Sequence, residues 1–233
     1  MLRYLLKRLL ALIPVLLGVA FLIFTMMYFT PGDPAAMVLG DQASEEQLNE
    51  WRAARDLDKP FLEQFGKYIW GIVSQGDFGI SYKTGKNVTS ALLERFPTTF
   101  VLAIATCVIA MVLGVLLGIL AANHQGTWID SVLRVFGMAG VSMPIFWLGL
   151  LMILWFAVDL KWFPVSGWYG PKYLVLPALT MGLTFTASLM RTTRSSMLDC
   201  IRQDYVITAR AKGQKERVIT YHHVFRNALI PII

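Results

Sequence analysis

The sequence predicts an all-α integral membrane protein, and three observations carry that prediction. Residues 9–29, 98–122, 135–158 and 173–190 form long runs without Asp, Glu, Lys, Arg or His. Charged residues make up only 15% of the 233 positions and are crowded between those runs, while 56% of the chain is hydrophobic. Crossing a hydrocarbon core about 30 Å thick takes roughly 20 helical residues at about 1.5 Å each, which is the scale of every run. The 173–190 run is the shortest, so its helix is expected to continue past Met190. Four complete spans follow from this count.

The first run follows Arg3, Lys7 and Arg8. A cleaved signal peptide would show an apolar core of roughly 7–15 residues and then a small-x-small site. This run is longer, and Phe29-Thr30-Pro31-Gly32-Asp33-Pro34 reads instead as a span ending in a turn. Residues 30–44 hold Asp33 and Asp41 but no Lys or Arg. The positive-inside rule therefore places the N-terminus in the cytoplasm. Four spans then return 191–226 to the same side, and that segment is basic. It carries Arg191, Arg194, Arg202, Arg210, Lys212, Lys215, Arg217 and Arg226 against Asp199, Asp204 and Glu216. The flank of the second span runs the other way, with Lys83, Lys86 and Arg95 outside, but long loops translocate largely regardless of charge.

Residues 30–97 then form an extracytoplasmic loop with ten acidic and seven basic side chains. Ser44-Glu45-Glu46-Gln47 fits a capping box that starts a helix through Leu48, Trp51 and Ala54. After Asp58-Lys59-Pro60, apolar residues at 61, 62, 65, 68, 69, 72 and 73 mark one helix face, with Pro60 suited to the first helical position. Gly76, Gly79 and Gly85 break the pattern into turns. Either a cap on the membrane portion or a docking platform fits this loop. Asn87-Val88-Thr89 is a glycosylation sequon, relevant only in a eukaryotic secretory pathway.

The second span carries Ala110, Gly114, Gly118 and Ala122 at four-residue spacing, a row of small residues that lets helix backbones approach closely. Pro144 and Pro177 fall in the third and fourth spans, where each removes a backbone hydrogen bond and favours a kink. An ion-coupled carrier normally holds ionisable side chains inside its spans. Here His124, His222 and His223 all lie outside them. The sequence has no metal-ligand cluster, catalytic carboxylate pair or phosphate-cradling glycine loop. Cys107 and Cys200 do not make a disulfide framework. The formal charge of +6 sits beside the spans, where it sets orientation, so it does not argue for nucleic acid. Any uphill transport must draw its energy from another subunit.

The basic segment reads as two helices around a turn. Residues 202–212 suit a helix with Arg210 and Lys212 in the last turn, and Gly213 is a natural left-handed C′ residue. A second helix starts near Gln214 and places Val218, His222, Phe225 and Leu229 on one face, leading back to the membrane over 227–233.

These residues resemble a known family. Thr208-Ala209-Arg210-Ala211-Lys212-Gly213, preceded by Asp204-Tyr205 and followed by Arg226-Asn227-Ala228-Leu229-Ile230-Pro231, resembles the cytoplasmic EAA loop of ABC importer permeases. The form is that of the dipeptide, oligopeptide and nickel branch. Pro31-Gly32-Asp33-Pro34, Gly76-Asp77-Phe78-Gly79, Ser142-Met143-Pro144-Ile145-Phe146-Trp147, Pro164-Val165-Ser166-Gly167 and Arg191-x-Thr193-Arg194-Ser195-Ser196-Met197-Leu198 look like that branch too. Ile207-Thr208-Ala209 stands where the generic loop has Glu-Ala-Ala, and the interval from Gly213 to Pro231 is longer than the generic one.

The resemblance implies a type I importer permease of six spans in a bacterial or archaeal cytoplasmic membrane. Only the start of a fifth span, 227–233, is present, so a fragment of a longer permease is the expectation. It also implies a second permease subunit, two ATPase subunits that hold ATP and Mg, and an extracytoplasmic solute-binding protein. Asp204, Tyr205, Thr208, Ala209, Arg210, Ala211, Lys212 and Gly213 would couple to the ATPase, with Ala209 against its surface. No cofactor or catalytic residue is expected on this chain. Peptides lead as solutes, with nickel complexes and glutathione-like peptides open; a membrane scaffold or an ion-coupled carrier is the competing reading. Topology gives the first test. A reporter fused after Lys83 is expected to read external and one after Gln214 cytoplasmic, and a cytoplasmic signal at Lys83 would break the four-span reading.

Overall fold

The first charge-free run winds into α1, Leu2–Phe29, with Pro14 inside it. The computed structural model describes residues 2–40 and 42–232. The chain divides into two units, Met1–Phe96 and Pro97–Ile233. In the first unit α1 exposes large apolar side chains all round, among them Leu10, Leu16 and Met26, as a helix immersed in lipid does.

After the turn, Asp33 caps α2, Pro34–Leu39, by accepting from the backbone N–H groups of Ala35 and Ala36. The same carboxylate takes Arg52 Nη2 at 2.6 Å, which ties α2 to α3, Glu45–Ala53. That guanidinium holds the Asp33 carboxyl below its usual range. The capping box at Ser44 and Gln47 forms in both directions. Helix α4 spans Phe61–Gln75, and Pro60 is its N-cap rather than its first helical residue. Phe61, Phe65 and Tyr68 of α4 meet Phe21, Phe24 and Tyr28 of α1, with ring centroids 5.1–5.7 Å apart. The apolar face is narrower than its periodicity suggests: Leu62 and Val73 are 73% and 75% exposed. Gln64 is buried instead, because its amide donates to the Leu57 and Lys59 carbonyls and closes the loop before α4.

Helix α5, Val88–Asn123, runs from the first unit into the second. The second unit continues with α6, Trp128–Ser142, and α7, Ile145–Met152, which passes into a π-helical stretch over Ile153–Asp159. Then come α8, Lys172–Ile201, and α9, Asp204–Ala211. Helix α10 is the single turn Glu216–Val218; a second π-helical stretch, Ile219–Val224, leads into α11, Phe225–Ala228. Among the described residues three helices are long and apolar enough to cross a membrane, and the α6–α7 pair makes a fourth if it counts as one span. The reading of a fifth span over 227–233 reaches Ile233, which lies outside the described residues.

The apolar run 135–158 is broken rather than kinked. Between α6 and α7 the axis bends by 102°. Met143 is extended at φ −74° and ψ 127°, as a residue before proline prefers, and Pro144 caps α7 without an N–H of its own to continue the ladder. Pro177, by contrast, sits inside an unbroken α8.

Helix α8 is the centre of this unit, with Ala187, Met190, Thr193 and Met197 almost wholly buried. The small-residue row of α5 lies against it, and Ala110, Gly114, Gly118 and Ala122 are all buried. A Cβ on Gly118 would stand 2.5 Å from Thr193 Cβ and 2.9 Å from the Met190 carbonyl oxygen. One on Gly114 would stand 2.9 Å from Leu189 Cβ, and one on Gly140 of α6 2.8 Å from Ala187 Cβ. Backbones approach that closely only where there is no side chain to intervene. Gly118→Val is therefore expected to overpack the α5–α8 contact and destabilise the chain by roughly 1–3 kcal/mol or more. Gly18→Ala, where nothing lies within 4 Å, is the control. Thermal unfolding in detergent should show a lowered midpoint for the first variant only.

Candidate functional site

The site resembling the EAA loop is built where α8 ends. Gln203 is the N-cap of α9, Asp204 lies in its first turn and Arg210 in its last, each with the sign that suits the helix dipole. The helix stops in a complete Schellman arrangement. Gly213 N–H donates to the Arg210 carbonyl at 2.9 Å and Gln214 N–H to the Ala209 carbonyl at 3.3 Å. Gly213 takes φ +73°, the left-handed value that this ending requires.

Across that turn Arg210 reaches forward. Its Nε donates to Glu216 Oε1 at 2.7 Å and its Nη2 to Oε2 at 3.2 Å. The guanidinium holds the Glu216 carboxyl below its usual range, and the carboxylate raises Arg210. What this pair adds to stability is present at neutral pH and is lost as pH falls through the lowered Glu216 value. Both side chains are about half exposed or more, so the pair is worth about 0–1 kcal/mol and acts chiefly to set the geometry of the turn. Glu216 was not singled out in the sequence; its signal was a carboxylate six residues beyond Arg210, past a turn glycine.

The inward face of the site is a cluster of buried residues: Ile119 and Ala122 of α5, Met197 and Leu198 of α8, Val206 and Ala209 of α9, then Ile219, Val224 and Ala228. Ala209 is 7% exposed and packs in this chain's own core, so its small size suits intrachain packing. The outward face of α9 carries Asp204, Tyr205, Ile207, Thr208, Arg210, Ala211 and then Lys212, all exposed. The helix after the turn also differs from its expected register. Val218 and His222 are exposed, and Ile219, Val224 and Ala228 face inward. The π-helical stretch explains this, since hydrogen bonds to the fifth residue replace the 3.6-residue period from 219 to 224.

Above this core lies a buried charge that sequence reasoning missed. Asp130, in the first turn of α6, is 1% exposed. It accepts from Arg194 Nε at 2.6 Å, Arg194 Nη2 at 2.8 Å and the Gly126 N–H at 3.1 Å. A carboxylate so enclosed needs each of these donors, and removing one partner of such a pair typically costs about 3–5 kcal/mol. Arg194 was legible within its motif. Asp130 stands 64 positions earlier and had no local signal.

Among the described residues no three His, Cys, Asp or Glu side chains are placed to hold a metal ion. Cys107 and Cys200 are free thiols.

Residues 114–233 match the family described as binding-protein-dependent transport system inner membrane component. Residues 1–103 match the N-terminal family of the same membrane components. The chain is 39% identical over 233 residues to the glutathione transport system permease protein GsiC of Escherichia coli (strain K12), covering 100% of this chain and 76% of that protein. The GsiC proteins of Shigella dysenteriae serotype 1 (strain Sd197) and Salmonella choleraesuis (strain SC-B67) are 39% and 40% identical, with the same coverage of both chains.

Two substitutions test how the α9 turn is held. Gly213→Val puts a β-branched residue into the left-handed region, a strain of about 1–3 kcal/mol. Ala209→Glu places a carboxylate in an apolar core and is expected to cost several kcal/mol, roughly 2 or more. Hydrogen exchange over 204–228 should quicken in both, whether or not any partner is present. Unchanged protection in Ala209→Glu would mean that Ala209 is not a core residue.

Proposed function

The chain belongs to the family of binding-protein-dependent transport system inner membrane components, and on that premise we propose that it carries peptides into the cell at the expense of ATP hydrolysed on partner subunits. It is a membrane-spanning permease of an ABC importer. Glutathione, which the relatives named above transport, is itself a peptide and falls within the proposed class. Two ATPase subunits holding ATP and Mg, a second permease and an extracytoplasmic binding protein complete the assembly, with the N-terminus of this chain in the cytoplasm.

The observation that carries the coupling role is the outward face of α9. An isolated eight-residue helix is marginal in water. Here α9 is seated by Val206 and Ala209 on the ends of α5 and α8, closed by the Gly213 turn and braced by Arg210–Glu216. A push on its outward face therefore acts on the two helices beneath rather than bending a loop. Ile207 is 60% exposed there, an apolar side chain with a contact to make. When nucleotide closes the ATPase pair, α9 moves with it and α5 and α8 tilt in turn, opening the path to one side and then the other.

The test uses the chain assembled with its ATPase and second permease, with Cys107→Ser and Cys200→Ser as background. Thr208→Cys should crosslink to the ATPase subunit with a yield that changes on nucleotide binding. Ile207→Asp should insert normally yet lose ATPase association and uptake. Normal association and uptake in Ile207→Asp, with no crosslink from position 208, would remove α9 from the coupling contact.

A further inference from the structure

Near the α8 end that leads to α9, a cavity of about 480 Å³ opens between α5, α6 and α8. Its lining includes Arg134 of α6, Arg191 and Arg194 of α8, and Ser195. The same lining includes apolar side chains, the buried Met190 and the exposed Val135 and Met138. The division follows the membrane boundary that the sequence draws independently on two helices. The charge-free run 135–158 begins immediately after Arg134, and the run 173–190 ends immediately before Arg191. Cationic heads at the edge of the hydrocarbon, above apolar side chains within it, match an amphiphile with an anionic head.

The charge balance of the cavity leaves positive charge to be met. Asp130 accepts two hydrogen bonds from Arg194 and one from the Gly126 N–H, and stands 3.7 Å from Arg134 Nε, an ion pair without a hydrogen bond. Arg134 is 53% exposed and donates to the Ser131 hydroxyl. Arg191 is exposed and, among the described residues, has neither an ion pair nor a side-chain hydrogen bond. Among the described residues, Arg191 thus faces the opening without a carboxylate, and Arg134 shares with Arg194 the single carboxylate of Asp130. Guanidinium matches phosphate oxygens in a planar, two-bond geometry, and basic pockets between spans at the cytoplasmic boundary suit anionic lipid heads.

We propose that this cavity is a binding site for the phosphate of an anionic phospholipid. Arg134 and Arg191 hold the phosphate, Ser195 donates to one of its oxygens, and the upper acyl chain lies on Val135 and Met138. The bound lipid wedges against α6 and α8 at the level of the Asp130–Arg194 pair. The site is separate from the outward face of α9 and does not depend on which solute is carried.

The test is native mass spectrometry of the full chain released from nanodiscs that contain phosphatidylglycerol and phosphatidylcholine. Wild type should retain one phosphatidylglycerol in preference to phosphatidylcholine. Arg134→Gln with Arg191→Gln should lower that preference by roughly tenfold or more, at about 1 kcal/mol per basic residue near the surface. Both positions are exposed and leave Asp130–Arg194 in place, so folding should persist. Arg202→Gln with Lys215→Gln removes the same charge outside the cavity and should retain the lipid. An unchanged preference in the first pair, or an equal loss in the second, would overturn the site. Full displacement of the lipid by inorganic phosphate would make it a site for the free ion instead. Loss of the lipid on assembly with the ATPase and second permease would make it a protein contact.

Discussion

The approach of α5 to α8 sets the rest of the second unit. Lipid tails are as apolar as the side chains they touch, so helices in a membrane gain little from the hydrophobic effect alone and associate through close van der Waals contact. Gly114 and Gly118 remove the side chains that would hold the two backbones apart, and Leu189, Met190 and Thr193 fill the space. Once those helices are in contact, Ile119 and Ala122 at the end of α5 stand beside Met197 and Leu198 of α8. Together they make the seat on which α9 rests.

The polar chemistry is placed where this packing ends. Asp130 gives the α6–α8 contact a direction, because its carboxylate is satisfied only when Arg194 and the Gly126 N–H converge on it. Apolar contact tolerates sliding, whereas a buried carboxylate with three donors does not. The same geometry leaves Arg134 and Arg191 facing outward at the edge of the apolar runs. One level further, Arg210 and Glu216 brace the turn after α9 in a water-exposed setting, where an ion pair shapes more than it stabilises. The charges thus run from a buried pair that locks helices, through two exposed arginines beside the apolar runs, to an exposed pair that shapes a turn.

The apolar runs and the helix axes differ in how they are interrupted. Asp, Glu, Lys, Arg and His are absent from the apolar runs 9–29, 98–122, 135–158 and 173–190, and a sharp break at Met143–Pro144 lies beside a continuous α8. A proline inside a helix thus leaves α8 continuous at Pro177, while Pro144 stands at a 102° bend.

Several features were legible from residues alone because their causes are local. The charge-free runs, the capping box at Ser44 and Gln47, the small-residue row on α5 and the left-handed turn at Gly213 each depend on neighbours within a few positions. The break at Pro144 was visible only as a kink, since its 102° depends on how α6 and α7 each pack on α8. The partnership of Asp130 with Arg194 joins positions 64 apart, and no periodicity reports it. Nor could the sequence say that Ala209 turns inward, or that a π-helical stretch moves Val218 out and Ile219 in. Helix, cap and turn follow from the chain's own backbone chemistry. Which face of α9 is buried, and which arginine keeps a free guanidinium, was decided only when distant helices met and assigned each side chain its neighbours.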